Sequence, residues 1–207
     1  MTPAQTVFLV DDQALVLTAL TRLLDAAGYA VRAFSCPHAF LDSGAALQAG
    51  CLVLDLDMPQ MGGLALQQQL AARASMLPVI FLTGHGDLDS GIRAMKLGAA
   101  DFLTKPVDDE RLIAAIELAF ARNREAQRRG AERAAILARL ASLTARERDV
   151  LELVIEGALN KQIAAALGTA EKTVKVHRGR VMAKMQVRSV SALVRQIDCV
   201  RAGAAGE

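Results

Sequence analysis

Five apolar runs too short to be helices, Val7–Val10, Val31–Phe34, Cys51–Leu54, Val79–Leu82 and Phe102–Leu103, each lead into a segment of helical periodicity. Those segments are Leu15 to Ala26, Ala39 to Leu47, Leu64 to Ala72, Leu88 to Leu97, and a helix from Glu110. Strands that each feed a helix imply parallel pairing through right-handed crossovers, with helices on both faces of a five-stranded, doubly wound sheet. Gly28 and Gly98 stand where helix ends want a left-handed residue, and Asp87 and Asp108 where N-caps belong. In an open sheet of this kind the working site lies beyond the carboxyl ends of the strands, near the switch in strand order.

After this alternation the pattern changes. Residues 119–141 are rich in Ala, Arg and Glu and read as a helical linker prolonging the last helix. Thr144-Ala-Arg-Glu147 forms a capping box before the periodic run Val150, Leu151, Val154, Ile155, which Gly157 closes. Asn160 is expected to cap a second helix ending at Gly168, Thr169 a third running to about Met185, and Ser189 opens a fourth. Two short helices around a Gly-containing turn, the second strongly basic, form a helix-turn-helix pattern. The 207 residues therefore divide into a sheet domain at 5–120, a linker at 121–139 and a small all-helical domain at 140–203.

Composition removes several alternatives. With 53% hydrophobic residues the chain has the apolar surface that disordered chains lack. Its longest stretch without Asp, Glu, Lys or Arg is the 15 residues Met58 to Ala72, interrupted by Pro59, Gly62 and Gly63, short of the roughly 18 apolar residues a membrane span needs. Residues 1–5 carry no basic cluster, so a cytoplasmic protein without membrane attachment is expected. Cys36, Cys51 and Cys199 lack metal-ligand spacing and are expected to be reduced core thiols. No Trp and a single Tyr leave too few aromatics for stacking single-stranded bases.

The net charge of +2 conceals an asymmetry. Residues 1–122 hold 8 basic and 13 acidic side chains, residues 123–207 hold 16 and 9, and Asn160 to Arg195 holds 8 basic residues with Glu171 as its single acid. Ordinary solvated helix faces mix both signs, so the basic block indicates a polyanion, nucleic acid above all.

The sheet domain concentrates its chemistry at strand ends. Asp11 and Asp12 follow the first apolar run, Asp55 the third, Thr83 the fourth and Lys105 the fifth. Converging carboxylates repel one another unless a hard cation such as Mg²⁺ is present. Acids, a divalent ion, an ammonium and a hydroxyl together suit phosphoryl transfer, in which positioning and charge neutralisation matter most. Spacing alone does not choose the acceptor, although Asp55 is the edge acid flanked by a turn signal, Met58-Pro59. Individually each residue has a plainer reading: Asp12 as a helix cap, Asp55 as a turn residue, Thr83 as a loop start, Lys105 as a solvated charge. Four complementary strand ends at one edge favour the joint reading.

These residues resemble the receiver domain of two-component response regulators, through Asp11-Asp12, Asp55-x-x-Met58-Pro59 with Gly63, Thr83-Gly84-His85-Gly86-Asp87 and Asp101-Phe102-Leu103-Thr104-Lys105-Pro106. Residues 140–200 resemble a LuxR-type helix-turn-helix, through Leu143-Thr144-x-Arg146-Glu147, Asn160-Lys161-x-Ile163-Ala164 and Thr173-Val174-Lys175-Val176-His177-Arg178. The order is that of the NarL/FixJ subfamily. The resemblance implies a flavodoxin-like receiver and a DNA-binding transcription regulator, not an enzyme, phosphorylated on Asp55 by a sensor histidine kinase. It further implies Mg²⁺ held by Asp12, Asp55 and the main-chain carbonyl of Asp57, with Asp11 in the outer shell. Lys105, preceding a cis bond to Pro106, would hold a phosphoryl oxygen, and Thr83 with Phe102 would convert phosphorylation into a surface change. Ile92, Met95 and Lys96 share one helix face next to the strand bearing Asp101 and Phe102, so a symmetric dimer favoured by phosphorylation is expected there, the plainer reading being that Ile92 and Met95 belong to the core. Double-stranded DNA would be met by Asn160, Lys161, Lys172, Thr173, Lys175, Val176, Arg178, Arg180 and Lys184.

Two rival functions fit less well. Asp55-Leu56-Asp57 is also the D-x-D pair of haloacid dehalogenase-like phosphatases, but those place it on the first strand, follow it with Thr or Val where Pro59 stands, and carry a cap. A LuxR-type sensor of small molecules would want an aromatic pocket that the first half lacks. Two positions depart from the family pattern. Gly179 interrupts the expected recognition helix, and Asp57 puts a second acid two residues after Asp55. Asp57 and His85, two residues beyond Asp55 and Thr83, are expected to tune phosphoryl lifetime.

Overall fold

In the computed structural model, residues 5–84 and 88–204 are described, and they fall into two compact units, Met1–Ala126 and Gln127–Glu207. The first unit is built on strands β1 (Thr6–Val10), β2 (Ala30–Phe34), β3 (Cys51–Asp55), β4 (Val79–Thr83) and β5 (Asp101–Thr104). All pairings are parallel and the order is β2-β1-β3-β4-β5. The chain leaves β1 toward β2 on one side and returns to β3 on the other, so the switch point falls between β1 and β3.

Side chains along the central strands alternate between two cores. Phe8, Val10, Leu52, Leu54 and Phe81 face one side, where they meet α2 (Pro37–Asp42), α3 (Gly63–Ala72) and α4 (Leu88–Lys96) through Phe40, Leu66, Leu70 and Ala94. Val7, Leu9, Val53, Ile80, Leu82 and Leu103 face the other, against Leu20 and Leu24 of α1 (Ala14–Ala26) and Leu112 and Ile116 of α5 (Asp109–Ala141). Burial on both faces explains why these strands read as unbroken apolar runs. Each fully buried Leu or Ile contributes about 1.5–3 kcal/mol of transfer free energy. β2 departs from this pattern: as an edge strand it leaves Ala30, Arg32 and Ala33 exposed.

Local signals behave largely as their chemistry dictates. Gly28 and Gly98 take φ of 89° and 85°, and the Asp108 carboxylate accepts from Arg111 N–H at 2.9 Å at the start of α5. Asp87 lies outside the described residues. The expected helix from Ala39 to Leu47 is broken. α2 stops at Asp42, Ser43 Oγ donates to Phe40 O and accepts from Ala45 N–H, Gly44 turns at φ 71°, and a short 3₁₀ turn spans Ala45–Leu47.

The second unit packs the end of α5 with α6 (Ala145–Ile155), α7 (Asn160–Ala166), α8 (Glu171–Lys184) and α9 (Val190–Ala204) around Ile136, Val150, Val154, Ile163, Val174, Val181, Met185 and Leu193. The Thr144–Glu147 capping box forms, and Ser189 Oγ accepts from Ala192 N–H at 3.2 Å at the start of α9. Two helix starts differ from expectation. Leu159 occupies the N-cap of α7 because Gln162 Oε1 accepts its N–H at 2.7 Å, leaving Asn160 inside the helix. Ala170, not Thr169, precedes α8. The cysteines also differ: Cys51 is buried, but Cys36 is half-buried at the N-cap of α2 and Cys199 is exposed, all three being free thiols. Among the described residues no helix is long and apolar enough to cross a membrane.

Candidate functional sites: a carboxylate cluster and a basic helix

The sheet delivers Asp11 and Asp12 from the end of β1 and Asp55 from the end of β3, on either side of the switch point. Their carboxylate oxygens lie within 4.8 Å of one another, with Asp11 and Asp55 buried and Asp12 exposed. Asp12 caps nothing, since Gln13 stands at the N-cap of α1 and Asp11 accepts the Gln13 N–H at 2.9 Å. Lys105 reaches across from the end of β5 to Asp11 at 2.6 Å and Asp55 at 3.1 Å. Its N–H also donates to Thr83 O at 2.7 Å, and the Lys105–Pro106 bond is cis.

Burial pushes the Asp55 carboxyl above the ordinary Asp value. The Lys105 hydrogen bond opposes that rise, while Asp11 and Asp12 reinforce it. Burial draws Lys105 down, but its hydrogen bonds to Asp11 and Asp55 outweigh this and leave it raised. One ammonium thus faces three carboxylates, a donor set of hard oxygens that suits a divalent cation. Asp57 is exposed and its carboxylate stands outside the cluster.

The approach to Asp55 is tight. A Cβ on Gly63 would collide with the Asp55 carbonyl oxygen and stand 2.8 Å from the Phe81 ring. Glycine is therefore required where α3 begins beside the end of β3. Thr83 is fully buried at the end of β4, and Phe102 is half-buried, 6.5 Å from Phe81 between ring centroids. His85 lies outside the described residues. On α4, Ile92 and Met95 are 43% and 48% exposed, which removes them from the core. Lys96 is exposed, and the half-buried Asp101 accepts the Phe102 N–H at 2.8 Å.

In the second unit, Lys161, Lys172, Thr173, Lys175, Val176 and Arg180 are exposed, Lys175 making a surface pair with Glu171 at 3.4 Å. Arg178 donates to Asn160 Oδ1 at 3.0 Å, tying α8 to α7. Lys184, expected on the DNA face, turns inward. It donates to Glu147 Oε2 at 2.6 Å and to Ser142 O at 3.0 Å. With the Thr144 N–H also donating, the buried Glu147 carboxyl is held down at about 2. The sequence signalled Glu147 through its capping box. Its partner Lys184 lies on another helix and nothing local marks it.

Residues 7–117 match the response regulator receiver domain and residues 141–197 the luxR family of bacterial regulatory proteins. The chain is 44% identical to the transcriptional regulatory protein FixJ of Azorhizobium caulinodans over 189 residues, 91% of this chain and 90% of that one. It is 43% identical to the FixJ of Bradyrhizobium diazoefficiens over 195 residues, 94% and 95% of the two chains. Among solved structures, the response regulator StyR is similar with a TM-score of 0.83 and 45% identity over 94% of this chain and 98% of that one. Full-length FixJ from B. japonicum gives 0.61 and 42% over 95% and 97%. An acidic switch-point cluster followed by a basic helix-turn-helix, in a match that spans both units, places the chain in the response regulators of the FixJ type, phosphorylation-dependent transcription regulators with a receiver and a LuxR-type DNA-binding domain.

Proposed function

We propose that Asp55 is the phosphoacceptor and that a sensor histidine kinase supplies the phosphoryl group in the cytoplasm, the protein itself turning over no substrate. The observation that carries this reading is the convergence of Asp11, Asp12 and Asp55 within 4.8 Å at the switch point with Lys105 against two of them. Asp12, Asp55 and the main-chain carbonyl of Asp57 would hold Mg²⁺, with Asp11 behind them. The ion, when bound, neutralises phosphoryl oxygens as negative charge gathers on them. Asp55 offers the nucleophilic oxygen, Lys105 pairs with a phosphoryl oxygen, and Asp11 holds the Lys105 ammonium in place. The Thr83 hydroxyl would turn toward the phosphoryl group while the Phe102 ring moves inward.

That rearrangement would reach the exposed face of Ile92, Met95 and Lys96, with Asp101 beside it, and favour a symmetric homodimer. Two copies of α8 would then enter successive major grooves of an inverted-repeat site, about one helical turn apart. Lys172, Thr173, Lys175, Val176 and Arg180 would face the groove and Lys161 a phosphate. Arg178 and Asn160 would act chiefly through their contact with each other. Incubation with a small acyl phosphate and Mg²⁺ tests the centre of this reading. One hydroxylamine-labile phosphoryl group per chain is expected on the wild type and none on Asp55→Asn; equal labelling of both would overturn it.

A further inference from the structure

The C-terminal end of α8 is gripped from outside the helix-turn-helix. α8 buries Val174, Val181 and Met185, which lie along one line of the helix, with the half-buried Met182 packed to one side of it. A helix seated on so narrow an apolar strip can roll about it unless polar contacts to either side prevent this. Arg178, bonded to Asn160 of α7, supplies one such contact at mid-helix, and the others gather at the last turn. Arg139 Nη1, on α5, donates to Met185 O and Gln186 Oε1, both at 3.3 Å. Lys184 Nζ donates to Ser142 O and Glu147 Oε2, and Ser142 Oγ in turn donates to Arg139 O at 2.6 Å. Gln186 ends the helix at φ 56°. Met185 O is one of the carbonyls that a helix C-terminus leaves without an intrahelical donor, and a cation there is favoured by the helix dipole.

We propose that Arg139, with the Glu147–Lys184 pair, is a positioning clamp that sets the roll of α8 and so the register of its side chains on base edges. Arg139 lies outside the residues 141–197 that match the luxR family, so the recognition apparatus begins on the helix before that domain. None of the three needs to touch DNA. The inference rests on the reading of α8 as the groove-entering helix, and the experiment separates the two.

Full-length chain is titrated by fluorescence anisotropy against a duplex selected from a random pool and against a random duplex, over a salt series and well below the melting temperature. Arg139→Met is expected to weaken the selected duplex about tenfold and the random duplex less than about twofold, with an unchanged salt slope, because hydrogen bonds and not phosphate contacts are lost. Arg139→Lys, which keeps one donor, should recover most of the loss. Lys184→Met, the second variant, should reproduce the pattern. A salt slope shallower by about one would make Lys184 a phosphate contact and remove it from the clamp. Unchanged affinity for the selected duplex in Arg139→Met, or equal loss on both duplexes, would overturn the inference. Lys175→Ala serves as the control: if it leaves the selected duplex untouched, it is the reading of α8 that fails.

Discussion

Among the described residues three buried carboxylates face a lysine, and two of them, Asp55 and Glu147, are treated in opposite ways. Asp55 and Glu147 have side chains about equally hidden, each 3% exposed, with lysine nitrogens at 3.1 and 2.6 Å. Glu147 has an ammonium to itself and receives the Thr144 N–H as well, and its carboxyl sits at about 2. Asp55 is pushed upward chiefly by its burial, which a Lys105 shared with Asp11 does not offset and which Asp11 and Asp12 reinforce. The first network is closed and needs nothing more. The second is electrostatically unfinished, and the excess negative charge is what a divalent ion and a phosphoryl group are suited to exploit. Unbalanced burial, rather than burial alone, separates the functional acid from the structural one.

The largest expected effect breaks the pair apart. Asp55→Asn should abolish phosphoryl labelling and at the same time raise the melting temperature at neutral pH. The Asp55 carboxyl is raised in the folded state, so its ionised form opposes folding above the unfolded value, and the amide removes that penalty. Glu147→Gln should leave labelling intact and lower the melting temperature. Circular dichroism serves for both, since the chain has no Trp. A melting temperature that falls in both variants would erase the contrast.

The pH dependence sharpens it. Glu147 is lowered on folding from 4.5 to about 2, so its contribution is fully present above about pH 4.5 and disappears as pH falls toward 2. Hydrogen exchange at the α6 and α8 amides should show an acid-dependent opening in this window that Glu147→Gln lacks. An identical acid response in the two proteins would mean that Lys184 is not the group holding Glu147.

Mg²⁺ should act on one network alone. At ten times its dissociation constant a ligand stabilises the state it binds by about 1.4 kcal/mol, so the sheet unit should melt higher with Mg²⁺ while exchange at α6 and α8 stays unchanged. Asp12→Asn, which removes the exposed member of the cluster, should shrink the shift. A shift of full size in that variant would place the ion elsewhere.

What the sequence made legible follows from range. The central strands β1, β3 and β4 are readable because burial on both faces makes each a continuous apolar run, and the strand order turns five separated residues into one edge. Gly28, Gly98, Asp108 and the Thr144 box act within four residues of themselves, and a sequence displays such interactions directly. The breaks had subtler causes. Ser43 and Gly44 ended α2 early through side-chain bonds to neighbouring backbone, and Gln162 moved the cap of α7 from Asn160 to Leu159. Lys184 was misplaced because its partner is 37 residues away on another helix. A lysine in a basic run looks the same whether it points to solvent or to a buried Glu.

The smallest expected effect concerns two glycines that the comparison also divides. At Gly63 a Cβ would strike the Asp55 carbonyl, so the unfinished site requires glycine. At Gly179, exposed in the middle of α8, a Cβ would meet nothing within 4 Å. Glycine within a helix costs about 0.5–1 kcal/mol relative to Ala, and no contact inside the protein offsets that cost at position 179. Gly179→Ala should therefore stabilise the helical unit by about that amount, measured as reduced hydrogen exchange along α8. Gly63→Ala should instead lower the melting temperature of the sheet unit and slow phosphoryl labelling, because the end of β3 must shift to admit the methyl group. Position 179 lies four residues beyond Lys175 and three beyond Val176, on the face proposed to enter the groove. A stabilised Gly179→Ala chain that binds its selected duplex less tightly would show that the missing side chain serves DNA approach. A stabilised chain with unchanged binding would show that position 179 is indifferent to DNA and that its glycine costs only helix stability.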